Sequence, residues 1–131
     1  MGLVSEQSLY NLAVRAVELE LIPALRALGI GLISYSPLHA GVLAGRRGDA
    51  PGDQLDAYEQ LCRELGAAPA AVALAWVLHD PVVSAAIVGA TTVEELRADL
   101  AALSVRLDGE AVHRLDRIWP GPGEAPQAYA W

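Results

Sequence analysis

Three histidines, one cysteine and 16 carboxylates are the side chains here that could do acid–base, nucleophilic or metal chemistry, and their spacing decides what each can do. His39, His79 and His113 lie more than 30 residues apart, so no two fall at the short spacing of a paired metal site. His39 reads as a solvated loop residue. Cys62 has no second cysteine with which to form a disulfide or a multi-cysteine metal site, and among helix-forming neighbours it reads as a small packed residue. Asp56, Glu59 and Glu64 form part of a charged helix face, with nothing to bring two carboxylates together in a cleft. Ser36 lacks the Gly-x-Ser-x-Gly elbow of a hydrolase nucleophile, and residues 41–47 lack the Gly-Lys-Ser/Thr ending of a Walker loop. A helix start remains. Thr92 followed three residues later by Glu95 makes a capping box, and the helix it opens offers free backbone N–H groups to an anion. The same features equally describe a capped helix with no ligand. No catalytic side chain and no metal ligand is assigned.

The elements that must position these residues alternate short strand-like runs with longer helical ones, the pattern of an α/β fold with parallel strands. A first strand is expected over residues 3–7. A helix follows at about 21–28, with Leu21, Leu25 and Leu28 on one face, Pro23 tolerated in the first turn and Gly29 closing the end. Residues 30–35 read as an apolar strand buried on both faces, ending at Ser36-Pro37. A Gly- and Arg-rich loop over 41–52 leads to helices at about 54–65 and 69–79, punctuated by Gly66. Pro81 ends the helical run, and 82–88 reads as another buried strand. The capped helix is expected over 93–103, with Leu96, Leu100 and Leu103 in a stripe, and a last helix at about 110–118 leads into a Pro/Gly-rich tail over 120–131. Three short parallel strands leave two open edges, whereas parallel sheets normally have both faces covered. Something further is needed to complete the domain.

Composition narrows the setting. At 131 residues the chain can enclose one core. Hydrophobic residues make up 53% with a mean hydropathy of +0.31, apolar for a free-standing domain and far from disorder. Gly, Pro and charged residues interrupt every apolar stretch before it reaches the roughly 18 to 20 residues of a membrane span, so no membrane role is expected. A net charge of −7 and a pI near 4.8, with Arg46-Arg47 the only adjacent basic pair, oppose a nucleic-acid partner. Residues 1–6 show no secretory pattern, and a cytoplasmic protein is expected.

An ordered series of segments resembles the aldo-keto reductase family: EQSLYNL at 6–12, GIGLISYSPL at 29–38, GVLAGR at 41–46, VALAWVL at 72–78, IVGATT at 87–92, then Glu95-Leu96. The likeness runs from Ser5 to about Trp119, with the bacterial and potassium-channel-β-like branch the nearest match. It implies a (β/α)8 TIM barrel of about 250 residues or more, with the site at the C-terminal ends of the strands. Residues 1–119 would be its C-terminal part, a partial barrel of the last three β/α units plus extra helices. The implied chemistry is NAD(P)-dependent reduction of a carbonyl by hydride transfer. The family's catalytic Asp, Tyr, Lys and His come from the first half of the barrel and have no matching position here, so the isolated chain is expected to be inactive.

The resemblance also implies roles for individual residues. Gln7 matches the amide that holds the nicotinamide carboxamide, offering a donor and an acceptor together. Tyr35 matches the aromatic that stacks on the nicotinamide ring, and Ser36, Pro37 and Leu38 the segment under the cofactor phosphates. Gly41, Gly45 and Arg46 match the loop over the pyrophosphate, where flexible backbone comes close and a cation meets the charge. Gly89 and Thr91 match the turn after the last strand. At the adenine end the branch carries Gln or a basic residue, then Glu and Asn, where this chain has Glu95, Ala98 and Asp99. A carboxylate there repels a 2′-phosphate and accepts a hydrogen bond from a free 2′-hydroxyl, so NAD is expected over NADP, bound weakly. A homodimer or a complementary barrel fragment would cover the open edges, and a small carbonyl substrate is expected only with the barrel completed. The alternative is a non-catalytic binding or assembly module on the same scaffold.

Overall fold

Strand β1 (Ser5–Leu9) pairs with β2 (Gly31–Tyr35), and β2 with β3 (Val83–Ala86), in a parallel sheet that keeps chain order. The computed structural model describes residues 2–48 and 50–123, so most of the expected tail over 120–131 lies outside the described residues. Ser5 stands opposite Gly31 and Leu9 opposite Tyr35, so β1 sits two residues later than the sequence pattern suggests. Leu3 and Val4, whose apolar side chains prompted the earlier start, are exposed. Pairing with β2 fixes β1's position, and local hydrophobicity does not. Between Leu32 and Ile33 the register with β3 shifts past Ser84, and a Cβ at position 31 would strike the Ser84 side chain, which accounts for Gly31.

Helix α1 (Leu21–Leu28) closes on Gly29, whose φ of 66° is the left-handed cap expected there. Helices α2 (Gly52–Glu64) and α3 (Pro69–His79) follow as expected, with Gly66 between them and Pro69 in the first turn of α3. Residues 71–77 of α3 are buried without a break, so this helix is apolar all round and forms the centre of the core. Tyr58, Leu61, Leu12, Leu32, Leu43 and Leu115 pack in the same cluster. Helix α5 (Gly109–Ile118) is capped by Asp108, whose Oδ1 accepts from the Ala111 N–H at 2.8 Å.

Two expectations about coverage need correction. Leu32 and Ser34 of β2 are buried, but Ile33 is only half-buried and Tyr35 is exposed, as are Gln7, Ser84 and Ala85 on the neighbouring strands. The sheet is covered on one face, not both. Helix α4 (Val93–Leu100) keeps its capping box but tightens into a 3-10 turn over Ala101–Ser104, where one helix to 103 was expected. Its stripe is unburied: Leu96, Leu100 and Leu103 are 44%, 55% and 67% exposed. Periodicity identifies an apolar face without saying whether anything packs on it. Among the described residues no single helix is long and apolar enough to cross a membrane.

Candidate functional site

Parallel α/β sheets bind ligands beyond the carboxyl ends of their strands. A cavity of about 630 Å³ lies there, bordered by the exits of β2 and β3 and by the first turns of α4. Tyr35, Ser36, Pro37 and Leu38 line it from β2, Gly41 and Arg46 from the following turn, Gly89 from β3, and Glu95, Ala98 and Asp99 from α4. Every expected cofactor residue borders this cavity except Gln7, Gly45 and Thr91. Gln7 lies instead on the exposed face of the sheet, opposite Ile33. Tyr35, two residues beyond Ile33, shares that face because strand side chains alternate.

The β2 exit is a tight turn. Ser36, His39 and Ala40 have φ values of 50°, 47° and 53°, left-handed conformations that non-glycine residues seldom adopt. Asn11 holds the turn in place: it is fully buried, its Nδ2 donates to the Ser36 carbonyl at 2.9 Å, and its Oδ1 accepts from the N–H groups of Ala13 and Val14 at 2.9 and 2.8 Å. Alongside it, the buried Ser34 hydroxyl donates to the Tyr10 carbonyl at 2.6 Å. The exits of β1 and β2 are thus tied together by side chains to which the sequence reading gave no role. Gly41 has a φ of 90°, a conformation that L side chains rarely adopt, which favours glycine there. The Arg46 N–H donates to the Gly41 carbonyl at 3.0 Å, closing the turn and bringing the one cation among the described lining residues to the cavity.

The start of α4 supplies the acidic wall. Thr92 Oγ1 accepts from the Glu95 N–H at 3.1 Å, and Glu95 Oε2 in turn accepts from Thr92 N, Thr91 N and Thr91 Oγ1 at 3.3, 2.7 and 2.9 Å. These bonds hold the Glu95 carboxyl below the usual carboxylate range. Partial burial and the nearby Glu95 charge push Asp99 up. Expected at a ribose, Glu95 has one oxygen committed to its own turn, and Thr91 serves that turn rather than the cavity wall. Glu95 keeps its other oxygen, so it and Asp99 are the two carboxylates of the cavity wall.

The aldo/keto reductase family model matches residues 1–120. The chain belongs to the aldo/keto reductase family. The "uncharacterized oxidoreductase YrpG" of Bacillus subtilis (strain 168) is 46% identical over an alignment of 147 positions, which covers 100% of this chain and 45% of that protein. A "probable voltage-gated potassium channel subunit beta" of Oryza sativa subsp. japonica is 31% identical over 98% of this chain and 48% of its own length. The "NADH-specific methylglyoxal reductase" of Escherichia coli (strain K12) is 32% identical over 77% of this chain and 37% of its own length. The chain spans about half the length of these relatives or less. In this aldo/keto reductase chain all 9 basic residues are arginines, so it offers no lysine ammonium for acid–base work.

Proposed function

We propose that this chain is the cofactor side of an aldo/keto reductase: the last three β/α units of a (β/α)8 barrel, holding a nicotinamide dinucleotide for reduction of a small carbonyl once the barrel is complete. The observation that carries this reading is the convergence on one cavity of the β2 exit, the Arg46 turn and the start of α4. Arg46 would meet the pyrophosphate, Tyr35 and Gln7 the nicotinamide, and Asp99 the adenosine ribose. The bound cofactor supplies the hydride; this chain's residues bind and orient it. Proton donation and its tuning belong to side chains that this chain does not supply, and general acid catalysis typically contributes about 10² to 10⁴-fold. The pure chain given NADH and a small aldehyde should therefore show no turnover above background.

NAD should bind more tightly than NADP, because Asp99 accepts from a 2′-hydroxyl and repels a 2′-phosphate. Two like charges about 4 Å apart oppose each other by on the order of 4 kcal/mol at an effective dielectric near 20, before screening. Partial exposure reduces this to about tenfold in affinity. The Escherichia coli relative is by name NADH-specific. Calorimetric titration of both dinucleotides tests it, with Asp99→Asn expected to narrow the gap and Glu95→Gln to weaken both by loosening the α4 start. Equal or tighter NADP binding, unmoved by Asp99→Asn, would contradict the assignment. The alternative, a non-catalytic binding or assembly module, draws on Ala98 and on the uncovered sheet face; failure of both dinucleotides to bind would select it.

The open β1 and β3 edges, the uncovered sheet face and the exposed α4 stripe support a partner, either a second copy or a complementary barrel fragment. For the chain alone, light scattering should give a mass above the monomer's 13.8 kDa that rises with concentration. A monomer that persists at high concentration would count against a second copy.

A further inference from the structure

Building on the dinucleotide reading of the cavity, we infer that this chain's own affinity resides in one half of such a ligand. Alone, it binds esters of adenosine diphosphate as a class, ADP-ribose as well as NAD or NADH, and the nicotinamide adds little. The cavity runs from the β2 exit towards β3 and α4, and no described residue of β1 borders it. Groups that suit the adenosine and diphosphate half lie along this path. Arg46 offers a cation to the diphosphate, Glu95 and Asp99 offer acceptors to ribose hydroxyls, and Leu38, Val88 and Ala98 give a flat base an apolar wall. A free terminal phosphate would add negative charge with no second cation among the described lining residues to meet it, so an ester suits the cavity better than ADP itself.

The nicotinamide half finds far less. Gln7, the amide expected at the carboxamide, is exposed on β1, opposite Ile33 and outside the cavity lining. A hydrogen bond to an exposed amide replaces one to water, with little net gain. Tyr35 stands 40% exposed at the β2 end of the cavity, on the uncovered face of the sheet. A ring laid on it meets protein on one side and water on the other, whereas small-molecule sites typically enclose about 70 to 90% of a ligand's surface. Holding the nicotinamide riboside in place costs rotational freedom that such one-sided contact does not repay. The oxidised and reduced rings are equally solvated there, so the chain alone does not distinguish NAD from NADH.

Calorimetric titration of the full chain with NAD, NADH, ADP-ribose and nicotinamide mononucleotide tests the inference. The first three should bind with Kd values within about threefold of one another, a spread smaller than one ordinary hydrogen bond can give, and the mononucleotide about 100-fold more weakly. Arg46→Gln should weaken all three alike by about tenfold, in line with loss of a charge-assisted hydrogen bond. The comparison among ligands uses the unmodified chain and does not depend on that variant folding. ADP-ribose weaker than NAD by more than about threefold, or a mononucleotide as tight as ADP-ribose, would overturn the inference while leaving the dinucleotide reading in place. Binding of none of the four would overturn both.

Discussion

Replacing Asn11 with leucine should lower the unfolding free energy by about 2 to 4 kcal/mol and weaken any ligand of the cavity, although Asn11 is not among the cavity's lining residues. Leucine has as many side-chain heavy atoms as asparagine and leaves no cavity, so loss of packing is not the main cause. Hydrogen bonding is. The Asn11 amide satisfies the N–H groups of Ala13 and Val14 and donates to the Ser36 carbonyl, and all three bonds vanish with leucine. Val14 retains a bond to the Asn11 main-chain carbonyl, which is why the loss stays below a simple sum of three buried unsatisfied groups. Ser36 would lose an anchor that helps keep its φ at 50°, and the turn carrying Leu38, Gly41 and Arg46 begins there. Asn11→Asp separates the two effects, since a carboxylate keeps the acceptor for Ala13 and Val14 but offers no donor to Ser36. It should fall between the wild type and the leucine variant in urea denaturation, while matching the leucine variant in its loss of cavity binding. A leucine variant within about 0.5 kcal/mol of the wild type would show that Asn11 does not hold the turn.

Asn11 also shows where sequence reading stops. It stands within a segment that resembles the family, but its partner Ser36 lies 25 positions away, and no local pattern joins an amide to a distant carbonyl. Features whose physics is local were legible: the Gly29 cap, Pro69 at the head of α3 and the Thr92–Glu95 capping box all stand where the residue types put them. The parallel pairing of the strands followed from the strand–helix alternation. Coverage was not legible, because the Leu96, Leu100 and Leu103 spacing is the same whether or not another surface meets it. Glu95 is a third case. Its capping role and its proposed ribose role were both readable, and the structure shows the first, with Oε2 bonded to Thr91 and Thr92 while the side chain still borders the cavity.

The other long-range tie gives the second large effect: Arg15→Met should destabilise the fold by about 3 kcal/mol. The Arg15 guanidinium donates from Nε and Nη2 to Glu18 at 2.8 and 3.1 Å, and from Nη1 to Asp116 at 2.7 Å and to the Trp119 carbonyl at 2.9 Å. It lies 4.9 Å from the Trp76 ring centre, and Trp76 in turn packs against Tyr10. One side chain therefore joins the segment after β1 to α3 and to the end of α5. Methionine retains much of the packing against Trp76 but leaves the Glu18 and Asp116 carboxylates without their shared cation. Removing one partner of a fully buried ion pair costs about 3 to 5 kcal/mol. Arg15 is 13% exposed but Asp116 is 40% exposed, so solvent recovers part of the loss and the lower end of that range applies. Lysine should rescue only partly, because a single ammonium cannot reproduce a planar fork that serves two carboxylates and a carbonyl while stacking on an indole. Urea denaturation gives the free energies, and amide hydrogen exchange in α5 gives the location, since release of Asp116 and Trp119 should speed exchange there ahead of α3. Methionine and lysine variants both as stable as the wild type, with α5 exchange unchanged, would mean that the contacts of Arg15 contribute no more than an exposed pair does.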